Sequence, residues 1–148
     1  MLTQAKPQDE PTLERLIETA FVKYFQVLGL DWPGPYPWLP EAIAPGRVLW
    51  IDGAKGCAFI DRDDDALKID QITIDPAHQR RGTGRRAMEA VEELAVTAGF
   101  ARITLFTAQL HTRLVAFYSS LGYRIFDVPP PESNKDNIPR IHIMKPLN

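Results

Sequence analysis

The sequence predicts a mixed α/β layer sandwich built as one domain. Helix-period and strand-period hydrophobic patterns interleave along the chain instead of segregating. The 148 residues suit one domain with its own core, without metal or disulfide support. No internal repeat and no break in composition marks a second domain.

The elements follow in order. Leu2 to Lys6 reads as a short first strand. Leu13, Leu16, Ile17, Ala20, Phe21, Tyr24 and Leu28 recur at i, i+3, i+4 spacing, so Pro11 to Leu28 is an amphipathic helix, with Gly29 suited to its end. Trp32 to Pro40 is too proline-rich for a regular element beyond one short turn. Two readings stay open for it: a surface connection, or a loop whose aromatics wall a substrate cleft. Strands Arg47–Asp52 and Gly56–Arg62 are joined by the hairpin signal Asp52-Gly53-Ala54-Lys55. Asp63-Asp64-Asp65 is expected as a solvated turn, since spacing alone does not make a metal loop. Leu67 to Ile74 alternates with a break near Asp70-Gln71, the mark of a bulge. A helix from Gly84 to Ala98 ends at Gly99. Ile103 to Thr107 is a strand, and Thr112 to Leu121 a helix closed by Gly122. Tyr123 to Val128 and Pro139 to Lys145 are strands flanking the polar, proline-rich loop Pro129 to Asn137.

Composition narrows the function. A hydrophobic share of 45% and a charged share of 24% are those of an ordinary soluble globular protein. No stretch is apolar enough to span a bilayer, and Met1 to Glu10 lacks a signal-peptide core, so a cytoplasmic location and no membrane partner are expected. The single cysteine, Cys57, excludes an internal disulfide framework and a Cys-rich zinc site, and no metal is expected. A net charge of −2 argues against a nucleic-acid binder. The charge is nonetheless uneven. Pro76 to Met88 holds four arginines and no carboxylate, and no acid occurs from Leu94 to Phe126. A local positive field for an anionic ligand fits that distribution.

That field centres on Gln79-Arg80-Arg81-Gly82-Thr83-Gly84-Arg85-Arg86, between a strand-like run ending in Ile74-Asp75-Pro76 and a helix. Two glycines one residue apart let the backbone turn tightly and approach a ligand. The helix start offers unpaired N–H groups and the positive end of a dipole. These features make a phosphate or pyrophosphate site. It is not a Walker A loop, whose G-x-x-x-x-G-K-[ST] pattern is missing. Gly82 to Ala87 matches G-x-G-x-x-G/A, but it follows a hairpin past mid-chain. No acid lies between Glu93 and Asp127 to take a ribose, so a dinucleotide site is not expected.

Gln79-Arg80-Arg81-Gly82-Thr83-Gly84 does resemble the Q/R-x-x-G-x-G/A motif of the GNAT N-acetyltransferase superfamily. Ile74-Asp75-Pro76 precedes it at the family's spacing, and Ala116 to Tyr123 resembles the F/L-Y-x-x-x-G-F/Y ending of the family's fourth helix. The order of elements is the family's as well, so the resemblance spans nearly the whole chain. It implies a GNAT-like mixed, mostly antiparallel central sheet flanked by helices, with acetyl-CoA as acyl donor. By that resemblance Gln79, Arg80, Arg81, Gly82, Thr83, Gly84 and Arg85 hold the pyrophosphate, and the backbone of Ile72, Thr73 and Ile74 takes the pantetheine arm and acetyl group. His111 stands where the family often has a cofactor-contacting asparagine, seven residues before Tyr118. Leu114 replaces a small residue. Phe117 and Tyr118 are implied to contact the cofactor.

Acyl transfer to an amine needs a neutral nucleophile and a proton for the departing thiolate. An alkyl ammonium has a pKa of about 10.4, so a base or a desolvated site is required. Tyr118 matches the family tyrosine that faces the cofactor sulfur, and a phenol can supply the proton. Asp70 is the candidate base, with a strand-edge charge or a water chain as alternatives. Asp75 is expected to order the turn at Pro76, and His78 to be a solvated loop residue. Cys57 is expected as a small buried apolar residue, so transfer is direct, without an acyl-cysteine. The expected function is an acetyl-CoA-dependent N-acetyltransferase. The alternative is a non-catalytic acyl-CoA-binding module of the same fold. The acceptor is a small-molecule or protein amine, with walls in Asp31–Pro45 and Pro129–Asn137. The oligomeric state stays open, homodimers being common in such families.

Overall fold

A computed structural model describes residues 1–147. The chain runs β1 (Leu2–Gln4), α1 (Glu10–Val27), α2 (Leu39–Ile43), β2 (Val48–Ile51), β3 (Gly56–Asp63) and β4 (Ala66–Ile74). It continues through α3 (Thr83–Thr97), β5 (Arg102–Ala108), α4 (Thr112–Ser120), β6 (Arg124–Asp127) and β7 (Arg140–Pro146). The seven strands form one sheet in the order β1-β2-β3-β4-β5-β7-β6. Only β4 and β5 pair in parallel; the other pairs are antiparallel. This is the mixed, mostly antiparallel sheet flanked by helices that was expected.

Alternation along the strands sorts the core into two layers. Val48, Trp50, Cys57 and Phe59 face α1 and α2, where Leu13, Leu16, Ile17, Leu39 and Ile43 meet them. Ile69, Ile103, Leu105, Ile141 and Ile143 face the opposite way, against Met88, Val91 and Ala95 of α3 and Tyr118 of α4. Leu13 and Ile17 are fully buried, each worth about 1.5–3 kcal/mol by apolar area. The periodicity that marked α1 in the sequence is thus its core stripe.

Local chemistry explains the remaining departures from the expected boundaries. β1 stops two residues early because Pro7 begins a short 3-10 turn, although the Ala5 amide still bonds the Val48 carbonyl at 2.9 Å. The single turn allowed in the proline-rich stretch is α2, with Pro40 at a first-turn position that needs no N–H. Asp64 takes a left-handed φ of 58° in the β3–β4 hairpin. The bulge lies at Asp70: Phe59 pairs with Gln71 and Ile60 with Ile69, leaving Asp70 as the extra residue.

Candidate active site

The site begins where the sheet fails to close. The β4–β5 ladder pairs Ala66 to Ile69 with Arg102 to Leu105 and then ends. Beyond it β4 stays on β3 through Ile74, while β5 stays on β7 through Ala108. The two strands diverge, and the backbone groups that would have paired across them face a gap. Helix α1 crosses this gap. Its Tyr24 hydroxyl accepts the Ala108 N–H at 3.1 Å, so one donor exposed by the divergence is satisfied from the helix. The Tyr24 ring stacks on His111 at 4.6 Å.

The segment after β4 is a scaffolded turn. The Asp75 carboxylate accepts the Ala77 N–H at 2.9 Å, which orders the turn at Pro76 as expected. The Gln79 amide reaches back to the Ile74 carbonyl at 3.0 Å, tying the loop to the strand end. Arg80 and Gly82 both take left-handed backbone, with φ of 63° and 77°. Gly82 caps α3 without any side-chain hydrogen bond, and the first helical bond inside α3 comes from the Arg86 amide. The amides of Thr83, Gly84 and Arg85 therefore open outward at the positive end of the helix dipole.

The four arginines divide by role. Arg86 braces the loop: it donates to the Arg81 carbonyl at 3.2 Å and the Thr83 hydroxyl at 3.4 Å, and lies 3.6 Å from Asp52. Arg80 and Arg85 line a cavity of about 580 Å³. Lys23, Arg113 and His111 line it too, and no carboxylate does. Burial, and then the Arg113 charge, pushes the His111 imidazole below its ordinary value, so it is neutral at pH 7. A cavity of that size, cationic at one end and walled by Ile72, Leu114 and Phe117, suits an anionic headgroup with an apolar arm.

Tyr118 closes the inner wall. It is only 6% exposed, and burial drives its phenol well above the ordinary value, with Tyr24 adding to the shift. Its ring sits 5.3 Å from Phe117 and 6.0 Å from Tyr123. Behind it, Glu92 accepts from the Tyr123 hydroxyl at 3.1 Å and from Lys145 at 2.7 Å, a satisfied polar cluster that fixes the back of the wall.

A second cavity, about 310 Å³, shares Phe21, Tyr24, Ile72, Leu114 and Tyr118 with the first. The two spaces meet at the strand gap. Pro33, Tyr36 and Trp38 wall the second one, so the aromatic loop does line a cleft. Asp70, turned out of the ladder by the bulge, lines it as well. Its carboxylate lies 3.4 Å from Lys68.

Of the residues implied by the sequence, Ile72, Thr73, Ile74, Gln79, Arg80, Gly82, Gly84, Arg85, His111, Phe117 and Tyr118 line the larger cavity. Arg81 and Thr83 do not line it; Thr83 is buried, and Arg81 contributes its carbonyl to Arg86. His78 ends a 3-10 turn and is half-buried, more enclosed than a solvated loop residue. Sequence reasoning missed Tyr24, Lys23, Arg113, Thr107 and Arg140 as wall residues, while Asp136 falls in the Pro129–Asn137 loop it named as an acceptor wall. Tyr24 and Phe21 were visible only as part of the α1 stripe, which looks the same whether it covers sheet or gap. Among the described residues, no group of three or more His, Cys, Asp or Glu could hold a metal ion. No helix among the described residues is long and apolar enough to cross a membrane.

Solved structures share this architecture. The ribosomal-protein-S18-alanine N-acetyltransferase of Escherichia coli is 18% identical, with a TM-score of 0.74 over 100% of this chain and 94% of that one. Ard1 of Thermoplasma volcanium is 15% identical, with a TM-score of 0.77 over 100% and 97%. The PaiA N-acetyltransferase of Thermoplasma acidophilum, solved in complex with coenzyme A, is 12% identical, with a TM-score of 0.76 over 99% and 98%. At such identities the likeness concerns the fold. A model of the acetyltransferase (GNAT) family matches residues 13–123, three quarters of the chain, and the chain belongs to that family.

Proposed function

We propose that this GNAT protein is an acetyl-CoA-dependent N-acetyltransferase that passes the acetyl group directly to a primary amine. One observation carries the reading: two cavities of different character meet at a strand gap beside the buried phenol of Tyr118. In this reading the outward amides of the Gln79–Arg85 loop, with Arg80 and Arg85, hold the pyrophosphate. Arg81 and Thr83 contribute through the backbone alone. Ile72, Thr73 and Ile74 hydrogen-bond the pantetheine arm from the strand edge, and His111 and Phe117 border it.

The amine enters from the smaller cavity and gives up a proton to Asp70 through water. Its nitrogen attacks the thioester carbon, the carbon–sulfur bond breaks, and the thiolate takes the Tyr118 proton. The attacking nitrogen sheds its second proton to water, the phenol is reprotonated from water in turn, and Asp70 releases its proton, leaving an amide, free CoA and one proton in solvent. Cys57 takes no part, because it is fully buried in β3 and its thiol is pushed up to about 12.

Thermal unfolding with and without acetyl-CoA tests the donor. Ligand at 100 times its dissociation constant should add about 2.7 kcal/mol, or roughly 5–10 °C for a chain this size. No shift at millimolar acetyl-CoA would end the reading. A shift without thiol release on any amine would leave a binding module in place of an enzyme.

A further inference from the structure

The two cavities differ in charge as sharply as in shape. All the unopposed cations, Lys23, Arg80, Arg85 and Arg113, lie on the larger side. The smaller side carries Asp70, Asp136 and Arg140. Both terminal nitrogens of Arg140 are occupied by the Asp136 carboxylate, at 2.8 Å each, so that pair is closed on itself. Asp70 is paired as well, with Lys68 at 3.4 Å, but Lys68 does not line the cavity, so the carboxylate alone faces the chamber. The smaller chamber therefore offers an ammonium group the Asp70 oxygens and offers a carboxylate or phosphate no free cation.

Its other walls are flat and aromatic. Tyr36 stacks on Trp38 at 4.9 Å and 21°, and Trp38 meets Phe59 edge-on at 5.3 Å, so the loop rings are held in place before any ligand arrives. Phe106 faces the same space, with the Arg140 guanidinium 5.7 Å from its ring centre. Thr107 adds a specific requirement. It is 4% exposed, lines this cavity, and its hydroxyl has no hydrogen-bond partner. A buried hydroxyl is rarely left so, and a ligand is one way to satisfy it. At about 310 Å³ the chamber is at the small end of ligand sites, and a polyamine chain would leave its aromatic walls unfilled.

We infer that the acceptor is a compact primary amine with an aromatic body, packed on Tyr36, Trp38 and Phe106, with the Thr107 hydroxyl bonded to its polar part. This assignment rests on the N-acetyltransferase reading for its chemistry, while the chamber itself does not. Preformed aromatic walls select the body, and the Asp70 carboxylate facing the chamber accepts the ammonium. An acidic amino acid finds no free cation on these walls.

The test compares 2-phenylethylamine and tryptamine with spermidine, glutamate and a free N-terminal tripeptide, by thiol release at saturating acetyl-CoA. Calorimetric titration of 2-phenylethylamine onto the CoA-loaded protein runs alongside it. The aromatic amines should exceed every other class in kcat/KM by about tenfold or more. Tyr36→Ala should raise their KM about tenfold and leave the KM for acetyl-CoA unchanged. Thr107→Val, a nearly isosteric change, should leave the free protein as stable or more so and still raise the KM for the aromatic amine. A preference for polyamine, acidic amino acid or peptide overturns the inference and spares the N-acetyltransferase reading. So does an unchanged KM in both variants. Binding of 2-phenylethylamine without thiol release from any amine upholds the chamber and overturns the catalytic reading. Absence of both binding and acetylation of the aromatic amines overturns the inference.

Discussion

Tyr118 shows how burial prepares a single residue for one task. Moving a phenol out of water penalises its ionised form, so the group holds its proton through the whole neutral and mildly alkaline range. It can then meet a thiolate as a full donor at every pH where the amine is nucleophilic. Tyr118→Phe should lower kcat by about 10²–10⁴-fold and leave acetyl-CoA affinity within about twofold. The wild-type rate should not fall from phenol ionisation below pH 10. Equal turnover in the variant, measured by thiol release, would remove the role. Cys57 shows the same force acting to silence a group. Fully buried, with its thiol pushed up to about 12, it should be inert to a disulfide reagent in the native protein and titrate as one thiol after denaturation. Reaction in the folded state would contradict that burial. Tyr118 was legible from its motif; its enclosure, which holds the phenol protonated, was not, because Tyr24 approaches it from a distant segment.

At the scale of elements, the loop before α3 depends on backbone geometry that few residues tolerate. Gly82 has φ of 77°, and a Cβ there would come within 3.2 Å of the Arg86 guanidinium. Gly82→Ala should cost about 1–2 kcal/mol of stability from the left-handed backbone alone. It should also weaken acetyl-CoA binding, because Arg86 would shift and release Arg81 and Thr83. Denaturant unfolding and a binding titration read the two effects separately; a variant with unchanged affinity would mean that the loop holds no ligand. The glycines and arginines of this loop pointed to a helix-terminal anion site from the sequence alone. The division of labour among the arginines did not, since it follows from the left-handed turn at Arg80 and from Asp52 on another hairpin. The bulge at Asp70 was visible as a break in alternation. The loop from Trp32 to Trp38 left two readings open because ring stacking against α1 and β3 depends on partners far away in the chain.

At the scale of the whole molecule, folding strains one titrating group. His111 sits in the cavity wall with its imidazole pKa lowered by burial and by Arg113. The unfolded chain therefore takes up a proton near pH 6.5 before the folded protein does. Above that pH His111 adds no slope. As pH falls through the folded value stability drops, and below it the loss levels off. Urea unfolding between pH 8 and 5 should show a shallower acid decline in His111→Asn than in the wild type; parallel curves would show that the imidazole is not strained. The layered fold and its order of strands were legible from periodicity. The cavities were not, because they exist only where a non-local strand pair stops.

That stopping point also divides the molecule mechanically. Strands β1 to β4 form one set and β5, β7 and β6 another, and only four residue pairs, Ala66–Arg102 to Ile69–Leu105, join them in the sheet. These pairs are parallel and about three dozen residues apart along the chain, so loop closure makes them slow to form and early to fray. The gap between β4 and β5 is then also the hinge of the sheet. An occupant bonded to both edges works as a splint, and amide exchange at Asp70 to Ile74 should slow on acetyl-CoA binding more than exchange in the β2–β3 hairpin. Uniform protection across both would mean that the sheet opens only as one piece.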